Sequence, residues 1–159
     1  MAVRMPRMIA ALVLASVLAG SAEAQTNKFH LGPRISYQFD AEAVGLGVQF
    51  SAPLASHLEF YPSADYFFVD EGSFWSFNAD LKYRLAAASV KWLYLGAGLN
   101  ISNFSFEGES DTQTGLNLFA GVESLKGRVH PFGEFRFTTS NGSMTQLAAG
   151  LNFTLGSHK

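Results

Sequence analysis

The sequence predicts an all-β fold, an eight-stranded antiparallel up-and-down barrel that crosses a membrane after a cleaved signal peptide. Three observations support this prediction. Apolar and polar residues alternate with a period of two in eight consecutive segments, the N-terminus has the features of an export signal, and charged residues make up only 15% of the chain. Soluble domains usually contain roughly 25% charged residues, so the shortage indicates an outer surface that does not face water.

The first 24 residues have the composition of a secretory signal peptide. Arg4 and Arg7 give a positive start, residues 8–20 form an uncharged apolar run, and residues 22–24 (Ala-Glu-Ala) fit a small-x-small cleavage motif. The apolar run is too short to span a bilayer as a helix. We therefore expect a signal peptide over residues 1–24 and a single barrel domain over residues 25–159.

The composition excludes several classes of protein. With 11 Lys+Arg against 13 Asp+Glu, nothing indicates a nucleic-acid partner, and the absence of cysteine excludes disulfides. After the signal no apolar stretch is long enough for a spanning helix. Only a closed barrel could then cross a membrane, because every backbone polar group must be paired within lipid.

The alternating segments follow one another closely, over residues 29–39, 44–52, 58–68, 75–85, 92–101, 114–123, 129–137 and 146–155. In the first two, large apolar residues oppose glycine and small polar residues. The third sets Tyr66 against Asp65, and the fourth, the clearest, sets Phe77 against Asn78. Such regular alternation is typical of strands with one apolar face.

The fifth segment is ambiguous because residues 92–95 (Trp-Leu-Tyr-Leu) are apolar on both faces. We expect Leu93 and Leu95 outside, with Trp92 and Tyr94 inside, where neighbouring glycines leave room for the rings. The sixth to eighth segments again alternate regularly.

Prolines also interrupt the alternating pattern. Pro33 and Pro62 fall inside the first and third segments, and each removes a ladder hydrogen bond. We therefore expect a bulge or a local break at both positions.

The connections differ in charge between the two ends of the barrel. Three are short and free of acids, whereas the other four, which include residues 103–113 as the longest loop, carry seven carboxylates. These are Asp40, Glu42, Asp70, Glu71, Glu107, Glu109 and Asp111. Short turns at one end and longer loops at the other are typical of bacterial outer-membrane barrels, whose termini face the periplasm when the strand number is even. The acidic end is thus predicted to face outward.

Taken together, this pattern resembles the small eight-stranded outer-membrane barrels, the OmpA/OmpX-like and opacity-protein-like porin family, over residues 25–159. The most specific part is the end of the last strand, where such families finish Gly-aliphatic-x-aromatic-x-aromatic as an assembly signal. Gly150, Leu151 and Phe153 match it, and Leu155 replaces the terminal aromatic residue.

The resemblance implies a protein of the outer membrane in a Gram-negative envelope, exported through the inner membrane. Its partners would be outer-membrane lipid and lipopolysaccharide, with periplasmic chaperones and the barrel-assembly machinery during biogenesis. We expect a monomer with no cofactor, no bound metal and a structural or interaction role. A soluble lipocalin-like barrel is the alternative, but its second face should be rich in Lys and Glu, and here Gly, Ser, Asn, Gln and Thr dominate it.

With the apolar face outside, nine charged side chains point into the barrel. They are Arg34, Glu59, Asp65, Asp80, Lys82, Arg84, Glu123, Glu134 and Arg136. An eight-stranded barrel has an interior just wide enough for side chains to fill, so nearly balanced charge indicates a paired, rigid core. The alternative is a small passive channel, gated by a pair such as Glu134 and Arg136.

No catalytic residue is predicted. His30, His57, His130 and His158 lie at the inferred periplasmic ends, and none is followed two residues later by Ser, as the lipid A deacylase barrels require. Because the outer connections contain serines and carboxylates but no histidine base, a lipid-modifying enzyme is disfavoured.

Three acids of the longest predicted loop alternate along the chain. Glu107, Glu109 and Asp111 offer oxygen ligands that could bind a divalent cation and bridge to lipopolysaccharide phosphates. The simpler alternative is a solvated acidic loop.

Overall fold

The computed structural model describes residues 28–85, 87 and 89–156, which form eight strands. The strands are β1 (Phe29–Gln38), β2 (Ala43–Ala55), β3 (Leu58–Phe68), β4 (Ser73–Arg84), β5 (Leu93–Phe106), β6 (Glu109–Glu123), β7 (Val129–Thr139) and β8 (Ser143–Leu155). Each strand pairs antiparallel with the next, and β1 pairs with β8 to close the barrel. The predicted all-β, eight-stranded up-and-down architecture is confirmed.

The signal peptide predicted over residues 1–24 lies outside the described residues, as does His158. Among the residues that are described, no helix is long and apolar enough to cross a membrane.

Every strand presents alternate residues to opposite sides of the barrel wall. In β4, Ser76, Asn78 and Asp80 are at most 5% exposed, whereas Trp75 and Phe77 are 43% and 50% exposed. The same period of two runs through the other strands, with apolar side chains on the outside and polar ones on the inside. A soluble protein buries its apolar face, so this inverted arrangement is that of a barrel surrounded by lipid.

Aromatic side chains on the outer surface meet near both ends of the barrel. Near the acidic end, Tyr66 packs against Trp75, with ring centroids 4.6 Å apart. Near the end that holds the chain termini, Phe29 stacks on Phe50 at 5.9 Å. Aromatic girdles at the two interfaces are a feature of membrane barrels.

Both prolines interrupt pairing without shifting the register. The β1–β8 ladder lacks pairs at Gly32 and Pro33, and the β2–β3 ladder lacks them at Tyr61 and Pro62. The register places Pro33 opposite Leu151, but proline has no N–H group to donate. The carbonyl of Leu151 accepts from Gln49 Nε2 at 3.2 Å. The predicted local breaks are confirmed, and the one register shift between β2 and β3 lies elsewhere, at residues 53–55.

The predicted difference in length between the two sets of connections is wrong. At the acidic end the connections are residues 39–42, 69–72, 107–108 and 140–142, so none exceeds four residues. At the other end, residues 85–92 make the longest connection. The acidic end therefore carries tight turns.

The largest departure concerns residues 103–113, which form a hairpin where a loop was predicted. β5 continues to Phe106 and β6 starts at Glu109. The turn residues Glu107 and Gly108 have φ angles of 49° and 81°, as in a tight two-residue hairpin turn with both central residues left-handed. β6 pairs with β7 only from Leu116 onward, so the hairpin tip extends beyond the barrel wall on that side.

The fifth strand has the predicted register except at its start. Tyr94 is fully buried in the interior, whereas Trp92 precedes β5 and is 47% exposed, so its predicted inward position is wrong. Its indole nitrogen donates to the carbonyl of Ser89 at 3.0 Å. The ring belongs to a turn, where the alternation of the strand no longer applies.

Candidate functional site

The candidate functional site is the barrel interior, because charged and polar side chains collect there. All nine charged side chains expected inside point inward, and only Glu59 and Arg84 keep more than 2% of side-chain exposure, at 13% and 16%. They form two groups along the barrel axis.

The central cluster consists of Arg34, Asp65, Asp80, Glu134 and Arg136. Arg136 donates through Nη2 to Glu134 Oε1 at 2.8 Å and through Nη1 to Asp80. Arg34 Nε lies 3.2 Å from Asp65 Oδ1, and its Nη2 lies 3.6 Å from Glu134 Oε1. None of the N–H groups of Arg34 has hydrogen-bond geometry toward any residue that the structure describes. These ion pairs connect β1, β3, β4 and β7 across the barrel.

Neutral donors complete the central cluster, which has three carboxylates for two guanidinium groups. Asn117 Nδ2 donates to Asp80 Oδ1 at 2.8 Å. The hydroxyl of Tyr94 donates to Glu134 Oε2 at 3.0 Å. Because a buried carboxylate without hydrogen bonds is costly, these donors stabilise the excess negative charge.

An aromatic layer of Tyr61, Tyr94 and Phe119 separates this cluster from the second one. The three ring centroids lie 5.9 to 6.5 Å apart. Arg136 of the central cluster stacks on Phe119 at 4.5 Å, and Lys82 lies 4.6 and 4.4 Å from the centroids of Tyr61 and Tyr94. The layer therefore binds a cation on each side, in addition to filling the lumen.

Glycines make the space for these rings. A Cβ atom at Gly96 would collide with the ring of Phe119, and one at Gly121 would collide with the ring of Tyr94. The expectation that Gly96 and Gly98 make room for Tyr94 is wrong, because Gly96 accommodates Phe119 and the glycine that accommodates Tyr94 is Gly121 on β6.

The terminal cluster consists of Glu59, Lys82, Arg84 and Glu123, near the end with the chain termini. Lys82 Nζ donates to Glu123 Oε2 at 2.6 Å. Arg84 Nη2 donates to the same oxygen at 3.2 Å and to Glu59 Oε2 at 3.4 Å. Two cations and two carboxylates balance each other.

An amide network fills the lumen on the acidic side of the central cluster. Asn100 Nδ2 donates to Ser76 Oγ and to Asn78 Oδ1, both at 2.8 Å. Asn117 Nδ2 donates to Asn78 Oδ1 at 2.9 Å, and Thr138 donates to Asn117 Oδ1 at 2.6 Å. These hydrogen bonds connect side chains of β4, β5, β6 and β7 across the lumen.

An apolar cap closes the lumen at the acidic end. Ala43, Phe67 and Phe74 are buried there, with Val69 and Met144 packed against them. The rings of Phe67 and Phe74 stack with centroids 5.0 Å apart.

A cavity lies outside these layers at each end. One, of about 290 Å³, is lined by His30, His57, His130, Glu59 and Arg84 among others. The other, of about 240 Å³, lies at the acidic end beside Phe74. Between them the lumen is occupied by ion pairs, rings and amides.

Comparison with known structures identifies this architecture. The N-terminal β-barrel domain of Pseudomonas aeruginosa OprF is 20% identical with a TM-score of 0.64, over 80% of this chain and 98% of that one. Neisserial surface protein A is 17% identical with a TM-score of 0.63, over 80% and 97%. Ail, the attachment invasion locus protein of Yersinia pestis, is 14% identical with a TM-score of 0.50, over 80% and 97%.

This chain has the fold of the small outer-membrane β-barrels. The resemblance stated from the sequence is confirmed at the level of fold. No family model matches the chain, and no curated protein matches it in sequence.

The residues of the predicted assembly signal lie on β8 of this outer-membrane barrel fold. Leu151, Phe153 and Leu155 face outward and are exposed. Gly150 faces inward, where a Cβ atom would collide with the carbonyl of Pro33 on β1. The lack of a side chain at Gly150 therefore allows β8 to pack against β1 where the barrel closes. Recognition of these residues by the assembly machinery stays a prediction.

The three acids predicted to bind a cation are exposed. Glu107 lies in the β5–β6 turn, and Glu109 and Asp111 lie on β6. Within residues 28–85, 87 and 89–156, no group of three or more His, Asp or Glu side chains is arranged to hold a metal ion. Cation binding by these acids stays a prediction.

The described histidines lie toward the end that holds the chain termini. His30 and His130 are near the ends of β1 and β7, with ring centroids 5.1 Å apart, and His57 lies in the β2–β3 turn. His130 contacts the carbonyl of Ser124 through Nδ1 and the hydroxyl of Thr154 through Nε2. Both ring nitrogens of His130 are therefore engaged.

Sequence reasoning missed the residues that seal the lumen. Phe67 and Phe74 were not singled out, although each lies at an inward position of its strand. Tyr61 and Phe119 likewise lie at inward positions of their strands. An aromatic residue at an inward, otherwise polar position is the signal that could have identified all four.

Proposed function

We propose that this protein is a structural or interaction barrel of the bacterial outer membrane, with a lumen closed by side chains and without catalytic activity. The observation that carries the proposal is the aromatic layer of Tyr61, Tyr94 and Phe119 between two ion-paired clusters. A pore needs a continuous water path, whereas here rings and paired charges occupy the lumen.

The charged groups support a rigid core more than an ion path. Arg136 contacts Glu134 and Asp80 and also stacks on Phe119, so its movement would break contacts with three residues at once. Breaking a buried ion pair is costly because each partner is left uncompensated. A gate built on Glu134 and Arg136 would incur that cost at every opening.

The tight acidic turns support a modest role at the cell surface. With an even number of strands both termini lie at one end, and in outer-membrane barrels that end faces the periplasm. The end with Asp40, Glu42, Asp70, Glu71 and Glu107 then faces outward. Connections of two to four residues favour contacts with envelope components over a large adhesive surface.

Planar bilayer recordings on the refolded protein test the closed lumen. We expect no steady unitary conductance from the native chain. Steady conductance from the native chain would overturn the proposal. A change in that conductance in Arg136→Ala, with folding of the variant checked by heat-modifiable migration, would assign the path to the central cluster.

A further inference from the structure

The cavity at the acidic end has the features of a binding site for a small organic cation. We propose that it binds a protonated amine carried on an apolar body, with the amine between Asp40 and Asp111 and the apolar body on Phe74, Phe104 and Met144. All five residues line this cavity of about 240 Å³. Pockets for drug-sized ligands have roughly 300–1,000 Å³, so this one suits a molecule with a single ring.

The walls of the cavity are apolar and partly open. Phe104 continues the inward-facing positions of Asn100 and Ser102 along β5, yet its side chain remains 43% exposed because it lies on the hairpin that extends beyond the barrel wall. Its ring meets that of Phe74 edge-on, with centroids 6.3 Å apart. An exposed phenyl ring on the inner side of the hairpin does not face lipid, and it offers a surface for an apolar group or a cation.

The carboxylates at the rim each have one oxygen engaged by the protein. Asp40 Oδ2 accepts from the backbone nitrogen of Thr145 at 2.7 Å, which holds the side chain in place. Asp111 Oδ2 accepts from Gln113 Nε2 at 3.0 Å. The other oxygen of each carboxylate remains to accept from an ammonium group.

The charge around the cavity favours a cation. No Lys, Arg or His is among the described residues that line it. Three of the four connections at this end contain carboxylates, and none of the four, at residues 39–42, 69–72, 107–108 and 140–142, contains a basic residue. A rim of one sign concentrates ligands of the opposite sign.

Gln38 supplies an independent indication that something polar binds here. It lines the cavity, is 3% exposed, and its amide nitrogen has no hydrogen-bond partner among the described residues. A buried donor without a partner is costly. An oxygen acceptor on the ligand, next to its amine, would satisfy this nitrogen once the Gln38 side chain turns toward the cavity, since the nitrogen itself has almost no accessible surface.

The test is an NMR titration of the folded full-length chain in neutral micelles with L-phenylalaninol, which carries a ring, an amine and a hydroxyl oxygen. The reporter is the methyl resonance of Met144, assigned by comparison with Met144→Leu. We expect a saturable shift with a Kd on the order of 1 mM, as for a good fragment. The neutral analogue 3-phenyl-1-propanol should bind at least about fivefold more weakly, because it lacks the ammonium group and loses one exposed ion pair.

Matched variants distinguish binding in the cavity from general attraction to an acidic surface. Asp40→Asn and Asp111→Asn keep the acceptor oxygens that bond Thr145 and Gln113, and each should weaken binding by about three- to fivefold. Glu107→Gln removes a charge from the same hairpin outside the cavity and should change the Kd by less than about 1.5-fold. Heat-modifiable migration confirms that every variant is folded.

Three outcomes would overturn the proposal. They are the absence of a saturable shift at Met144, equal affinity for the neutral analogue, and equal weakening by Glu107→Gln. None of them bears on whether the lumen conducts ions, so the proposal fails or stands separately from the closed barrel.

Discussion

At the scale of single residues, two arginines in the same cluster differ in how completely they are hydrogen-bonded. Arg136 donates to both Glu134 and Asp80, whereas Arg34 lies near Asp65 and Glu134 without hydrogen-bond geometry. Loss of Arg136 would therefore leave the most buried negative charge without a partner.

Replacing Arg136 with methionine should strongly destabilise the barrel. The change keeps an unbranched side chain but leaves Glu134 and Asp80 buried without their main partner, and we expect a loss of about 3–5 kcal/mol in the free energy of unfolding. Urea unfolding in lipid vesicles, followed by tryptophan fluorescence, measures this.

The matched control is Arg128→Met, in the exposed connection between β6 and β7. It should change stability by no more than about 0.5 kcal/mol. A cost below 1 kcal/mol for Arg136→Met, roughly the value of an exposed pair, would contradict the view of a dry, paired core.

The sequence predicts which residues point inward but not which ones meet. Strict alternation places Arg34 and Glu134 inside, because each is a polar residue next to an outward apolar one. That they approach within 3.6 Å depends on closure of the barrel and on strand register, which no local pattern contains. For Trp92 even the inward position is predicted wrongly. β5 begins only at Leu93, so the alternation of the strand does not apply to Trp92.

At the scale of elements, the β5–β6 hairpin is where the structure differs most from the sequence-based prediction. Beyond Ser102 both faces of the hairpin become polar or exposed, because its tip leaves the barrel wall and meets water on both sides. Asn103, for example, donates to Ser110 and Thr112 on the outer face. The apolar residues of β5 change here to the inner side, at Phe104 and Phe106, and residues 109–113 of β6 are all polar, so the apolar outer face ends. In addition, Glu-Gly is a weaker turn signal than Asn-Gly.

The turn itself can be tested at Gly108, whose φ of 81° lies in the left-handed region. A Cβ at this position would meet nothing within 4 Å, so Gly108→Ala isolates the cost of the backbone conformation. We expect a loss of about 1 kcal/mol in the free energy of unfolding.

Gly142→Ala serves as the control for that variant, since Gly142 also has open space and its φ is not left-handed. It should be neutral or slightly stabilising. Equal effects of the two substitutions would mean that residues 107–108 do not form the tight turn.

At the scale of the whole molecule, the barrel has its apolar surface outside and its polar groups inside. The sequence predicted this inversion because the second face of the strands lacks the Lys and Glu of a water-exposed surface. It did not predict that the inside is ordered into an apolar cap, an amide network, two charge clusters and an aromatic layer. That order arises from residues on different strands brought to one height by the register.

The outer surface gives a prediction that separates a membrane barrel from a soluble one. Leu118 faces outward in the middle of β6 and is 61% exposed. In a bilayer Leu118→Arg should cost about 2–4 kcal/mol, because a cation on the lipid face near the midplane is poorly solvated. Refolding into lipid vesicles, followed by urea titration, gives the difference.

The control for Leu118→Arg is Ser124→Arg, in the exposed connection between β6 and β7 outside the apolar belt. It should change stability by no more than about 0.5 kcal/mol. If both substitutions were neutral, the apolar face of the strands would not contact lipid.

We expect the protein to be a folded barrel in the outer membrane. The most direct measurement is fractionation of cells that produce it, with the outer-membrane fraction extracted in mild detergent and run on a gel with and without boiling. We expect the protein in that fraction, with the unboiled sample migrating as a compact folded band and the boiled sample shifting. Recovery in the soluble periplasmic fraction, or identical migration of both samples, would contradict the claim.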